Sequence, residues 1–453
     1  MLVALRLATP SVFRRVPTLA ALLVLALAML APAAAQAERI GVNGQQIVTD
    51  MEVNPTRSAL MIDTADRLGT SEMRLPIGWG WVEREPPSNG QHSYAWDSYD
   101  GVVLQMARRG IRVLADIDGA PKFEVPSRCW RGGMGVGMPA HPEWYGAFVQ
   151  AFVARYGPGG TLWQENPDVT PRPVQRIELG NEQNHPYRWC TGAPNGAEYA
   201  QLVRSALDAL GPDRQVSVIT GGLYPLYAPR DDATVPDDEF LVQMRDADPT
   251  ILDDVDEIGL HDYGSQAGAL AGAWAFADAA MVELTLTRWK LLKAGIPPWK
   301  PVAITETGIS GTPTLLSNGR VKTSADANDG TRGAALQQGV RRMLAADCGV
   351  SRVQVHTLAT SMVVPSLYGY DGTTDPRYML ALSENFYGLA RFDGSLRDAG
   401  VAWRTLEAGS LPAAGSSGEC RDILRAFGNL DAPLKAAHPE WFLPDGRLRT
   451  VAP

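Results

Sequence analysis

Two glutamates stand where strand-like apolar runs end, in Ile177-Glu178-Leu179-Gly180-Asn181-Glu182-Gln183-Asn184 and in Val302-Ala303-Ile304-Thr305-Glu306-Thr307-Gly308. Two carboxyl groups delivered by different strands can divide the work of breaking a glycosidic bond. One, as the acid, protonates the leaving oxygen; the other, as carboxylate, meets the oxocarbenium-like carbon, and in retaining enzymes the two lie about 5 to 5.5 Å apart. An ionised carboxylate disfavours ionisation of its neighbour, so the nucleophile keeps its partner protonated until it is itself consumed. Ordinary surface glutamates are the plain alternative, but strand-end position, pairing and flanking residues agree on chemistry. Glu178, four residues before Glu182, lies on the same inward side but deeper, and reads as a buried structural carboxylate.

Such residues need a scaffold that brings several strand ends to one mouth. Strand-like runs are expected at Ile40 to Ile47, Ser71 to Ile77, Ile111 to Ile117, Gln175 to Asn181, Val216 to Gly221, Glu257 to His261, Val302 to Thr305 and Arg352 to Thr357. Helical patterns lie between them, among them Trp96 to Arg109, Pro142 to Tyr156, Ala197 to Leu210, Ala273 to Ala294 and Arg332 to Ala346. Eight strands alternating with helices predict an α/β chain folded as a (β/α)₈ TIM barrel over residues 38–409. Gly41-Val42-Asn43-Gly44 is not the phosphate loop of a doubly wound open sheet. Loops after strands three, four, five, seven and eight are long, which puts the elaborated face at the C-terminal ends. Residues 410–453 begin with a flexible-linker composition and continue, from Cys420, into a short helical extension expected to pack on the barrel.

Asn181-Glu182 after one apolar strand and Thr305-Glu306 at the end of a later one resemble the signatures of glycoside hydrolase clan A. Arg74-Leu75-Pro76-Ile77, Trp81-Val82-Glu83, Tyr94-Ala95-Trp96-Asp97 and Gly110-Ile111-Arg112-Val113-Leu114 are similar to the strand-two to strand-three region of families 5 and 39. His261-Asp262-Tyr263, Tyr387-Gly388-Leu389 and Asp393-Gly394-Ser395 extend the resemblance over roughly residues 50–408. It implies a retaining hydrolase of β-glycosidic bonds with Glu182 as acid/base and Glu306 as nucleophile. Asn181 would bind the sugar 2-hydroxyl, Arg74 and Tyr263 would hold Glu306 ionised, and His261 would be a polar wall or a partner of the acid/base. The chain departs from the pattern at strand eight, where Val355-His356-Thr357 replaces a commonly expected sugar-stacking Trp. Strand three ends in Asp116-Ile117-Asp118, where His or Tyr is frequent.

Sugar rings pack their C–H faces on aromatic side chains, so Trp79, Trp81, Trp130, Tyr187, Trp189, Tyr224 and Tyr227, all on or near strand-end loops, are candidate platforms. Trp79, Trp81 and Trp189 are the expected substrate contacts among them. No cofactor or metal is expected: His261 and His356 with Asp116 and Asp262 lack any HExxH-like spacing.

Arg6, Arg14 and Arg15, the apolar run Leu19 to Ala31 and the small-residue stretch to Ala37 read as a secretory signal peptide over residues 1–37. Its removal takes the formal charge from -9 to -12, which argues against a nucleic-acid partner and suits a polysaccharide or oligosaccharide substrate. No later segment approaches membrane-spanning length, so a secreted protein without membrane contact is expected. Four cysteines without a CxxC pair suggest two disulfides in an exported chain, Cys129 with Cys190 and Cys348 with Cys420 by order along the sequence, one of three possible connectivities. The competing readings are a catalytically silent carbohydrate-binding barrel, a metalloenzyme and a surface adhesion protein; retention of both glutamates with Asn181 and Arg74 argues against the first.

Overall fold

The computed structural model describes residues 39–451 apart from 132, 191–192, 225–233, 265–272, 312, 316–320, 324–328 and 361–383. The expected signal peptide and Tyr227 therefore lie outside the described residues. Eight strands run β1 (Ile40–Asn43), β2 (Glu72–Gly78), β3 (Arg112–Asp118), β4 (Arg176–Asn181), β5 (Ser217–Gly222), β6 (Ile258–His261), β7 (Val302–Thr307) and β8 (Val350–Val355). They pair in parallel in the order β5-β4-β3-β2-β1-β8-β7-β6. Bridges from Ile219 to Glu257 and from Leu223 to Leu260 then join β5 to β6 and complete the ring. Following the strands in turn are α1 (Pro55–Leu68), α2 (Asp97–Arg108), α3 (Pro142–Tyr156), α4 (Gly196–Leu210), α5 (Asp237–Ala247), α6 (Ala273–Lys293), α7 (Asp329–Ala345) and α8 (Asp398–Glu407). This is the (β/α)₈ barrel that the alternation predicts.

Local chemistry sets the helix ends. In α1, Asn54 accepts the Arg57 amide at the N-cap, Pro55 follows it, and Gly69 closes the C-terminus in a left-handed conformation (φ 70°). Met61, Ile62, Ala65 and Leu68 make its buried stripe. One expected element is shorter than its apolar run. Strand one stops at Asn43, and Gln45–Asp50 forms a short helix that buries Ile47 and Val48. Short apolar stretches satisfy either period, so burial alone could not distinguish the two.

Inside the barrel, charge occupies the N-terminal floor. Glu72 of β2, Arg176 of β4, Glu257 just before β6 and Arg352 of β8 alternate in sign around the ring. Arg352 lies 2.9 Å from Glu72 and 3.6 Å from Glu257, and Arg176 lies 3.8 and 3.9 Å from the same two acids. Leu114, Ile219 and Ala303, from the odd strands, form the apolar layer above. Breaking one side of a buried ion pair typically costs about 3 to 5 kcal/mol because the partner is left uncompensated. Arg352→Met should therefore destabilise by roughly that amount in urea unfolding. Adding Glu72→Leu should recover part of the loss; a double variant no better than the single one would show that the charges do not act as a pair.

Beyond α8 the chain does not hang free. Leu411 is buried in the main core, and Arg39 Nη1 donates to the Pro412 carbonyl at 2.8 Å, so the linker-like composition belongs to a fixed strap. Helix α9 (Glu419–Ala426) follows, with Cys420 disulfide-bonded to Cys348, and Trp441, Phe442 and Leu448 form a small core with Leu292 of α6. The second disulfide joins Cys129, in the loop after β3, to Cys190, in the loop after β4.

Candidate active site

Arg74, from the middle of β2, organises the mouth. Its Nε donates to Glu178 Oε2 at 2.5 Å, Nη1 to Glu306 Oε1 at 2.9 Å and Nη2 to Asn181 Oδ1 at 2.8 Å, while Asp116 Oδ2 lies 3.2 Å from Nη2. Burial alone would lower the Arg74 pKa, but Glu178, Asp116 and Glu306 raise it well above the usual guanidinium value. Glu178 also accepts from the Gly222 amide at 2.8 Å, so it is the buried structural carboxylate expected of it. Asp116 makes no platform; it lies against Arg74, and burial, with Glu178 and Asp118 nearby, pushes its carboxyl well above the usual value despite that guanidinium.

Both expected catalytic carboxylates reach the mouth through departures from regular strand geometry. Strict alternation after Glu178 would turn Asn181 away from the interior. Left-handed backbone at Gly180 (φ 92°) and Glu182 (φ 55°) breaks that alternation, and Asn181 and Glu182 both face inward. A positive φ at a non-glycine residue is strained, and such strain collects at functional sites. On β7 the device is an extra residue. Leu260 pairs with Ile304 but His261 with Glu306, and Val353 pairs with Ile304 but Val355 with Thr307. Two residues of β7 thus oppose one on each neighbour, a bulge that re-aims Glu306.

Glu306 Oε2 accepts the Tyr263 hydroxyl at 2.6 Å, so each carboxylate oxygen has a donor. His261 Nδ1 is hydrogen-bonded to Glu182 Oε1 at 2.9 Å and stands 3.7 Å from Glu306 Oε2. It is thereby the partner of the expected acid/base. One carboxylate oxygen of Glu182, one of Glu306 and a His261 ring nitrogen all lie within 4.8 Å of one another. A glycine at 222 permits this, because a Cβ there would overlap His261 Nε2 and Thr305 Oγ1. The Asn181 amide nitrogen makes no hydrogen bond among the described residues.

Burial pushes the Glu306 carboxyl up, but His261, His356, Arg74 and the Tyr263 hydrogen bond together outweigh it and bring the pKa down to about 2. A depressed folded-state value contributes stability that is present above the unfolded pKa, near 4.3, and lost as pH falls through the folded one. The unfolding free energy of wild type relative to Glu306→Gln should therefore fall by on the order of 3 kcal/mol between pH 6 and pH 2. Equal differences at both pH values, measured by urea unfolding, would refute the assignment. The same value keeps Glu306 ionised throughout the pH range of ordinary assays.

The expected aromatic platforms divide. Trp79 is 1% exposed, donates Nε1 to Glu83 Oε2 at 2.7 Å and packs against Tyr145 and Phe148, so it belongs to the core. Trp189 is 5% exposed and packs under the turn that carries Glu182, bonded through Nε1 to the Gln183 carbonyl. Neither has a ring face left for a sugar. Trp81 and Trp130 are half-buried and line a cleft together, Tyr187 is exposed, and Tyr224 packs beside His185. At the strand-eight position His356 lies 3.8 Å from Glu306 Oε2, with its ring against Tyr387 and Tyr263. Its place after an apolar strand was the available signal. Arg188, bonded to Asp118 at 2.8 Å, carried no sequence signal.

No family model and no curated protein matches this chain. Solved structures do. A monomeric β-xylosidase from Caulobacter crescentus matches at 18% identity with a TM-score of 0.54, over 82% of this chain and 68% of that one. A GH39 enzyme from Xanthomonas axonopodis pv. citri matches at 15% with a TM-score of 0.52, over 82% and 66%. A GH5_18 protein from Streptomyces cattleya, solved in complex with GlcNAc, matches at 13% with a TM-score of 0.52, over 89% and 91%. The chain shares its barrel with glycoside hydrolases of families 39 and 5, the two that its motifs resemble.

Proposed function

We propose that this protein is an exported retaining glycoside hydrolase that cleaves β-glycosidic bonds in a polysaccharide or oligosaccharide. The observation that carries the reading is the pair at the mouth. One carboxylate is held ionised by Arg74 and Tyr263; a second hangs on His261, with an oxygen of each within 4.8 Å. That separation suits direct attack on the sugar and is short for an inverting pair, which needs room for a water between its carboxyl groups.

In the first step Glu306 attacks the anomeric carbon while Glu182 gives its proton to the leaving oxygen, so the C–O bond breaks and a glycosyl ester forms. In the second, Glu182, now a carboxylate, takes a proton from water, and the hydroxide displaces Glu306 to release the sugar with its original configuration. Asn181, fixed by Arg74, donates to the 2-hydroxyl. The two disulfides fit an oxidising compartment, and no helix among the described residues is long and apolar enough to cross a membrane.

Glu182, His261 and Glu306 also have the donor types and proximity of a metal site. The Arg74 guanidinium 2.9 Å from Glu306 argues against it, since a fixed cation repels a second one in a poorly solvated site. Chelator treatment should leave turnover unchanged. The deciding experiment is reducing-sugar release by the purified protein across a panel of β-linked polysaccharides and oligosaccharides, with proton NMR of the first-formed product. Retained configuration is expected; an inverted product would sink the mechanism, and binding without release would favour the silent carbohydrate-binding barrel.

A further inference from the structure

Resting on the hydrolase reading, we propose that the cleft between the β2 and β3 loops is a subsite for a carboxylate-bearing sugar, a uronic acid residue attached at intervals to the substrate chain. The cleft measures about 310 Å³ and is lined by Trp81, Trp130, Lys122, Arg84, Glu52 and Glu83, together with Gly80 and Gly133. It opens on the same face as Glu182 and Glu306, over β3, which pairs with the strand that leads to Glu182.

Its two indoles are fixed. Trp81 sits on the short helix Trp79–Val82 directly after β2, with its ring pressed on backbone. A Cβ at Gly78 would stand 2.6 Å from a ring carbon and one at Gly133 3.2 Å from Nε1. Trp130 opens the hairpin of Trp130–Arg131 with Met134–Gly135, immediately after Cys129, which is disulfide-bonded to Cys190. Backbone bonds in both directions between Ala120 and Gly135 hold that hairpin to the start of the loop after β3. Rigid half-buried indoles offer C–H stacking at little cost in side-chain entropy.

The cleft holds two acids and two cations, so its formal charges sum to zero, and what differs is how each is engaged. Glu52 Oε1 accepts from Arg84 Nη2 at 2.6 Å and from Ser98 at 3.3 Å. Glu83 is engaged by Trp79 Nε1 and His92 Nδ1, each at 2.7 Å. Both acids are therefore occupied, and the Lys122 ammonium makes no hydrogen bond or ion pair among the described residues. A neutral pyranose would use the indoles and leave that cation idle; a carboxylate on the sugar uses both. The chain's net acidity repels a dense polyanion at long range, so the match is to spaced carboxylates and the selectivity is a short-range contact.

The test is binding by the Glu306→Gln protein, which needs no turnover, using affinity electrophoresis and calorimetry. The probes are glucuronoxylan, xanthan, gellan and hyaluronan, each beside its carboxyl-reduced form. At least one spaced-carboxylate polymer should bind about tenfold more tightly than its reduced counterpart, and hyaluronan more weakly than that polymer. Lys122→Met should weaken the acidic form about fivefold and the reduced form less than twofold, with Lys122→Arg restoring most of the loss. Trp130→Ala should weaken both forms. Absence of carboxyl-dependent binding across all four pairs, or equal weakening of both forms by Lys122→Met, overturns the proposal. Carboxyl-dependent binding by a wild-type protein that releases no sugar would instead sink the hydrolase reading and leave the subsite standing.

Discussion

Glu306→Gln should lower kcat/KM on a responsive glycoside by roughly 10⁵-fold, the scale seen when a covalent nucleophile is removed. The loss is chemical, because the substitution disturbs little else. Glutamine keeps the length of the side chain, and its carbonyl can still accept from Tyr263. Arg74 loses one carboxyl partner but retains Glu178 at 2.5 Å, with Asp116 at 3.2 Å, so the guanidinium stays anchored and Asn181 stays placed. Thermal unfolding at pH 7 should accordingly remain cooperative. Shortening the side chain to alanine makes room for a small anion. Azide or formate added to Glu306→Ala should restore part of the turnover and give a product of inverted configuration, because one displacement then replaces two. Activity of Glu306→Gln within tenfold of wild type would remove Glu306 from the nucleophile's role.

The residues of the central site could be read from the sequence because each stands in a strand or at a strand end. A barrel brings all such ends to one mouth, so alternation placed Glu182 and Glu306 together, while Arg74, Asn181, His261 and Tyr263 were singled out by the resemblance to clan A. What alternation hides is how an adjacent pair can share one face. Asn181 and Glu182 do so through two left-handed residues, Thr305 and Glu306 through a bulge, and neither leaves a reliable trace in residue types. Aromatic platforms failed differently. Trp79 opens the short helix after β2 and Trp189 lies in the loop after β4, near strand ends as expected, but such a position says nothing of which way an indole turns, and both turned into the core. The charged floor was hidden by a similar ambiguity. Glu72 and Arg176 open their strands, Glu257 precedes β6 and Arg352 is the third residue of β8, and only barrel closure sets them against one another. Even the departures at strands three and eight acquired meaning from the fold: Asp116 anchors Arg74, and His356 lowers the Glu306 pKa from the place where a stacking ring was expected.

Glu182→Gln should separate the two halves of the reaction. General acid assistance contributes about 10² to 10⁴-fold, so turnover of a substrate with a poor leaving group should fall by that factor. A substrate whose leaving group needs no proton, such as a dinitrophenyl glycoside, should form the glycosyl enzyme at close to the normal rate. It should then stall, because no base remains to activate water. A burst of released phenol followed by a slow steady state is the expected trace, and added azide, a nucleophile that needs no deprotonation, should speed the slow phase and yield a glycosyl azide of retained configuration. The environment of Glu182 makes this variant a clean test. Its one side-chain hydrogen bond among the described residues is to His261, and its amide is fixed independently by the Gly222 carbonyl at 2.8 Å, so glutamine can hold the same left-handed turn. Equal losses on good and poor leaving groups, with no burst and no response to azide, would place the proton donor elsewhere, and His261 would be the next group to replace.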